Sequence, residues 1–282
     1  MRPEGLTATP PPMGRWRNPP LAYVVAELAI APHYGLAAKI AAIQDGLRGA
    51  FPRTVEATEV VLAVAGALPQ GTPGSPGVSG VPAQPFWQLL DATQSRGVLI
   101  TYRAIALHAT AYEDSTDFLR RWAEVLAVID AAKAEPFVER IGLRYIDLIV
   151  PSGQADPADY LVPSIRGIDP PEGAEVQTRS WGLHYVRDGV TVQVRTTTPA
   201  PVGLLLPPVL NTLPLQLPPV AIEAQARIAN RQTIGWVDTD VSTPVQKPLN
   251  TEDISASFER LRQAVSVTFR SLLSDHAKDE WI

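Results

Sequence analysis

The sequence predicts an α+β fold, a predominantly antiparallel sheet packed against two or three amphipathic helices. Three observations carry that prediction. Segments with strand character outnumber helical ones, the strands follow one another with turn residues between them, and no regular βαβ alternation of the kind a parallel sheet needs can be traced. With 282 residues, 45% of them hydrophobic, the chain has enough material for a sizeable core. The organisation expected is a flexible N-terminal arm over 1–18 and a single domain over 19–282, with halves 19–150 and 176–282 joined by a loop. Both halves run strands and then a helix, the pattern an old duplication would leave, although no residue-level repeat accompanies it.

Leu21–Ile30, LAYVVAELAI, suits a strand and is bracketed by Pro19, Pro20 and Pro32. Leu36, Ile40, Ile43, Leu47 and Phe51 then recur at helical spacing, with Gly46 and Gly49 weakening the end of that helix. Strand signals resume over Thr54–Ala65. QGTPGSPGVSGVPAQP, Gln70–Pro85, is too rich in glycine, proline and serine for a packed element and reads as an exposed loop. Phe86–Asp91 and Gly97–Ala109 read as two strands joined by a turn near Thr93–Arg96. A strong helix follows, capped by Ser115 or Thr116, with Phe118, Trp122, Val125, Leu126 and Ile129 on one face and Pro136 as its stop. The strand returning from it is ERIGLRYIDLIV, Glu139–Val150.

Beyond a polar loop, WGLHYV and VTVQVRTT form a hairpin about Arg187-Asp188-Gly189, because Asp-Gly favours a tight turn. AIEAQARI and TIGWVDTDV read as further strands. The chain closes with a helix capped by Asn250 or Thr251, whose Phe258, Leu261, Val265, Phe269 and Leu272 keep one face apolar, and with a final turn from Ser274 and Asp275 to Trp281.

Composition narrows the function. Lys plus Arg number 24 against 29 Asp plus Glu, a net charge of −5, so the basic excess that drives phosphate binding is missing and nucleic acid is a poor partner. The tryptophans are not interleaved with basic residues, which leaves them as core rather than a base-stacking platform. No cysteine is present, which excludes disulfides, thiolate metal sites and cysteine nucleophiles and fits a cytoplasmic protein. The N-terminal arm lacks the continuous apolar run of a signal peptide. Val202–Ile222 is apolar enough to raise the membrane question, and Pro207, Pro208, Pro214, Pro218 and Pro219 answer it by forbidding a continuous spanning helix. An extended strap over the core is the favoured role for that segment. His33, His108, His184 and His276 show no metal-ligand spacing, and the common hydrolase, NTPase and dinucleotide motifs are missing, so no metal, catalytic set or cofactor is assigned.

The question with chemical content is why an apolar strand carries Arg140 and Arg144 about Gly142. In regular β structure the three share one face, with Ile146 and Leu148, while Ile141, Leu143, Tyr145, Asp147 and Ile149 take the other. The arginines stand about 13 Å apart, and the glycine leaves space between them. Either they pair with carboxylates on neighbouring strands, covering apolar surface with their stems, or they form an anion or partner-carboxylate site. Asp238 and Asp240 in IGWVDTD also share a strand face and are candidates for those partners, or for hard-metal or acid–base work. Arg140, Gly142, Arg144, Asp238 and Asp240 are therefore the candidate ligand-binding residues.

R-I-G-L-R-Y-I at Arg140–Ile146, following an amphipathic helix, and N-P-P-L-A-Y-V-V-A-E-L at Asn18–Leu28 resemble the sporadically distributed family of uncharacterised prokaryotic proteins that share an R-x-G-x-R strand motif. The W-V-D-T-D stretch and the final helix with Phe269 are similar to that family's C-terminal half. Asp147 stands where the resemblance leads one to expect asparagine, and the proline-rich stretch is unusually long. The resemblance implies a bacterial or archaeal intracellular protein carried in accessory gene sets, and it supplies no activity. The expectation is a soluble, non-enzymatic binding or regulatory protein with a protein partner or an anionic small ligand. The alternative is an enzyme or receptor that holds an anionic substrate between sheet and helices. The oligomeric state stays open.

Overall fold

The computed structural model describes residues 19–57, 86–153, 155–168, 171–174, 176–200 and 215–281. Its centre is a nine-stranded, wholly antiparallel sheet, in the order β2-β3-β4-β5-β1-β6-β9-β8-β7. The elements in chain order are β1 (Leu21–Ile30), α1 (Ile40–Leu47), β2 (Arg53–Ala57), β3 (Phe86–Leu90), β4 (Arg96–Ile100), β5 (Ala104–Ala109), α2 (Ser115–Ala131), β6 (Phe137–Ile149), β7 (Arg179–Arg187), β8 (Val190–Thr198), α3 (Pro219–Ala229), β9 (Gly235–Pro248), α4 (Thr251–Leu272) and α5 (Asp275–Trp281). Short 3-10 turns precede α1 and follow β6. The α+β class predicted from sequence is the class observed.

The chain makes two similar passes. In the first, β1 is followed by a crossover, a meander from β2 to β5 that ends beside β1, and α2; in the second, β6 leads through a crossover to the hairpin β7-β8 and then, after α3, to β9, which lies between β8 and β6, and to α4. By this path the second pass starts at Phe137, so the arginine strand opens the second half. β1 and β6 pair with each other and join the passes into one sheet.

Each helix forms because its apolar residues fall on one side. In α2 the buried residues are Phe118, Trp122, Val125, Leu126 and Ile129, and in α4 they include Phe258, Leu261, Val265, Phe269 and Leu272, the two stripes read from sequence. Both helices lie on the same face of the sheet, where Trp122 meets Phe258 edge-on with ring centroids 5.7 Å apart. Asn250 caps α4 by accepting from the Asp253 amide, as expected. For α2 the cap is Asp114, which accepts from the Asp117 amide, rather than Ser115 or Thr116; a carboxylate there also suits the positive end of the helix. Gly46 has a specific reason to be glycine, since a Cβ there would lie 2.6 Å from Val128 Cγ1, and its absence lets α1 lie against α2.

Two element assignments are also corrected. Gly97–Ala109 is not one strand but β4 and β5, joined at Thr101–Arg103. The Thr101 hydroxyl accepts from the amides of Arg103 and Ala104, the local side-chain bonding that turns a chain within an apolar run. AIEAQARI is not a strand but most of α3, started by Pro219 in its first turn. Ala221 and Ala224, small residues three apart, are its buried face, while Ile222 points outward. α3 covers the sheet face opposite to α2 and α4, where it packs with Tyr23, Val25, Ile146 and Leu148.

The Asp188-Gly189 turn has both residues at positive φ, 52° and 75°, as a two-residue hairpin of matching twist requires. The proposed arm 1–18, the loop Gln70–Pro85, the rest of the segment read as a strand over Thr54–Ala65, and residues 201–214 of the proline-rich segment lie outside the described residues. Where that last segment is described, Leu215 is buried, the Gln216 amide donates to Gln94 O at 2.7 Å, and Thr110 Oγ1 donates to Gln216 O at 2.6 Å, so its end is tied across the sheet. Among the described residues no helix is long and apolar enough to cross a membrane.

Candidate functional site

From Arg140 to Ile149 β6 is regular, so alternation holds: Ile141, Leu143, Tyr145 and Ile149 join the core under α2 and α4, while Ile146 and Leu148 join the core under α3. Arg140, Gly142 and Arg144 therefore share the α3 side. On β9, Asp240 lies directly opposite Arg144 and Asp238 opposite Ile146, which puts both carboxylates on that same face. All five sequence candidates are thus brought together.

The geometry within the group is uneven. Arg144 holds Asp238 through both arms of its guanidinium, Nε to Oδ1 and Nη2 to Oδ2, each at 2.7 Å. This is the planar fork-to-carboxylate match that lysine cannot make. Burial works against the Arg144 charge, and the hydrogen bonds and proximity of Asp238 outweigh it, so the guanidinium pKa is raised. Arg140 reaches Glu27 of β1 by a single contact of 3.4 Å and keeps more exposure than Arg144. Among the described residues none donates to Asp240 Oδ1, although that atom is buried. Its pKa is raised by burial, with Arg144 pulling the other way and Asp238 reinforcing the rise.

Sequence reasoning missed Glu27, the lone charge in LAYVVAELAI, which is 5% exposed and sits opposite Gly142. Burial pushes its pKa up to about 7 despite Arg140, so near neutral pH this carboxyl is split between its two forms. Farther along the same face, Gln88 Nε2 donates to His108 Nε2 at 3.2 Å, and the other ring nitrogen of His108 faces Tyr23 Oη at 3.3 Å. Burial lowers the His108 pKa to about 4, which leaves the imidazole neutral. A belt of polar groups thus runs from β3 to β9 within apolar surroundings. The signal available beforehand was parity, since His108 and Gln88 break otherwise apolar strands.

The other face carries a cleft of about 720 Å³ between the start of β1, the approach to α2 and the last half of α4. Tyr145 and Asp147 of β6 line it; Arg140 and Arg144, on the far side of the sheet, do not. Among the described residues no group of three or more His, Asp or Glu side chains is placed to hold a metal ion. Comparison with family models, with curated proteins and with solved structures gave no match.

Proposed function

We propose that the protein is a non-enzymatic binding or regulatory protein of an accessory bacterial system, working in the cytoplasm, and that it engages a partner carboxylate or an anionic ligand beside Arg140. The observation that carries this reading is the contrast inside the polar cluster. Arg144 and Asp238 satisfy each other with two short bonds, whereas among the described residues Arg140 has one long contact and Asp240 leaves an acceptor unused. A closed ion pair next to an under-bonded donor and a free acceptor is the arrangement that a partner offering one acceptor and one donor would complete. The likeness of the Arg140–Ile146 motif to the R-x-G-x-R family supports the accessory, prokaryotic setting.

Native mass spectrometry of the protein isolated from its own cell tests the proposal. A stoichiometric partner or ligand is expected on the wild type and is expected to be lost from the Arg140→Lys and Asp240→Asn variants. Arg140→Lys keeps a positive charge beside Glu27 while removing the planar fork. A preparation that carries nothing, or a partner retained by both variants, would overturn the reading.

A further inference from the structure

We propose that the cleft on the α2/α4 side of the sheet is a binding site for a small organic cation, with an alkylated ammonium group seated against Asp147 and the rings of Tyr112 and Tyr145. The site is distinct from the Arg140 cluster and does not depend on the reading given for it.

Asp147 is 5% exposed, lines the cleft and has no hydrogen-bond or ion-pair partner among the described residues. Burial first, and the Asp238 carboxylate second, push its pKa up to about 8. A buried carboxyl without a donor or a cation is costly to keep, and it calls for an explanation. The described residues supply none. Besides Tyr112 and Tyr145, the ionisable groups around it are Glu113 and Asp114 ahead of α2, Glu259, Arg262 and Arg270 on α4, and Asp238 on β9. Arg262 is paired with Glu259, and Arg270 has an interaction of its own. The lining therefore holds four carboxyl groups against two guanidinium groups, an excess that favours a cation.

The aromatic groups narrow the chemistry. Tyr112 and Tyr145 meet edge-on, with centroids 6.0 Å apart and planes at 82°, and their hydroxyls are 3.4 Å apart. Burial raises both phenol pKa values, so the rings stay neutral and make two walls of a corner. Ring faces at right angles beside a carboxyl attract a cation, and the alkyl groups of a substituted ammonium fit the apolar remainder, Leu21, Val265 and Phe269. The volume lies in the range of small-molecule sites.

Calorimetric titration of the whole chain with choline, tetramethylammonium and 3,3-dimethylbutan-1-ol, the uncharged isostere of choline, tests the proposal. Saturable binding of at least one cation is expected, with the alcohol at least about tenfold weaker. Because binding requires the ionised carboxyl, cation affinity should rise about tenfold per pH unit from pH 6 toward pH 8, with proton release at pH 7 seen as a buffer-dependent enthalpy. Asp147→Asn should lose the binding and the proton release while melting at pH 9 no lower than the wild type. No saturable binding by either cation, equal binding of the alcohol, or undiminished binding by Asp147→Asn would each overturn the proposal.

Discussion

Replacing Arg144 by methionine isolates what its pairing with Asp238 contributes. The guanidinium makes two 2.7 Å bonds to that carboxylate, with side-chain exposures of only 15% for the arginine and 8% for the aspartate. Methionine keeps the apolar stem, so the loss is electrostatic rather than a cavity. Removing one member of a buried pair leaves an uncompensated charge, which costs about 3–5 kcal/mol. Asp240 adds to this, since it loses the guanidinium that most opposes its protonation. Domains of this kind unfold at about 5–15 kcal/mol, so the variant would approach the limit of folding. The double variant Arg144→Met/Asp238→Leu removes both charges and should recover all but about 1–2 kcal/mol of the wild-type value. Urea unfolding at pH 7 with all three proteins reads this directly, provided the denaturant slope is unchanged. A single variant costing under about 1 kcal/mol, or a double variant as unstable as the single, would refute the view of this pair as closed and buried.

Two further outcomes follow from packing and protonation. His108 binds its proton less readily when folded, with a pKa lowered from 6.5 to about 4, so the unfolded chain takes up the proton first as the pH falls. Stability should therefore fall between pH 6.5 and 4 by up to about 1.4 kcal/mol per unit, and His108→Gln should flatten that limb in melts recorded across the range. Gly46→Ala would raise helix propensity in α1 by about 1 kcal/mol on an exposed surface. Here the new methyl meets Val128 Cγ1 at 2.6 Å, so a net loss of stability is expected, and an alanine variant that melts higher would show that α1 and α2 can separate without cost.

Much of the fold was legible because the periodicities were unambiguous. β1, the stripes of α2 and α4, and the Asp188-Gly189 hairpin each rest on a short-range rule that the rest of the chain does not override. The two errors share a cause. At Thr101 an apolar run turns through amide-to-hydroxyl bonds that hydropathy does not register, and in α3 the buried face consists of the small Ala221 and Ala224 while Ile222 is exposed. Side-chain size, not hydropathy alone, decides which side of a short helix can approach a sheet. For the site, strand parity put both arginines and both aspartates on the correct faces, but not which of them bond. Arg144 and Asp238 are 94 residues apart and Glu27 and Arg140 are 113 apart, and those distances close only when the strands of both passes are folded. Asp147 was visible as a polar residue on the core face of β6; its lack of a partner among the described residues was not.

The placement of the charges suggests why they are kept inside a sheet at all. Alternation of apolar and polar residues specifies which face of a strand is buried, but it repeats every two residues, so a slip of two leaves the apolar pattern of β1 against β6 nearly intact. β1 and β6 are also the seam between the two passes, where no hairpin fixes the register, since α1, the β2–β5 meander and α2 intervene. A two-residue slip of β1 would move Glu27 from opposite Gly142 to opposite Arg140 or Arg144, so Glu27 alone does not penalise that slip. A slip of β9 in the direction that sets Asp238 opposite Leu148 would part it from Arg144 and leave a buried carboxylate beside apolar neighbours. The penalty for an unpaired buried charge, about 3–5 kcal/mol, is comparable with the whole stability of many domains, so even a pair that adds little net stability can exclude the wrong registers. On this argument the Arg144 pair opposes that slip of β9, and Arg140 and Asp240 beside it are the more loosely bonded members of the cluster.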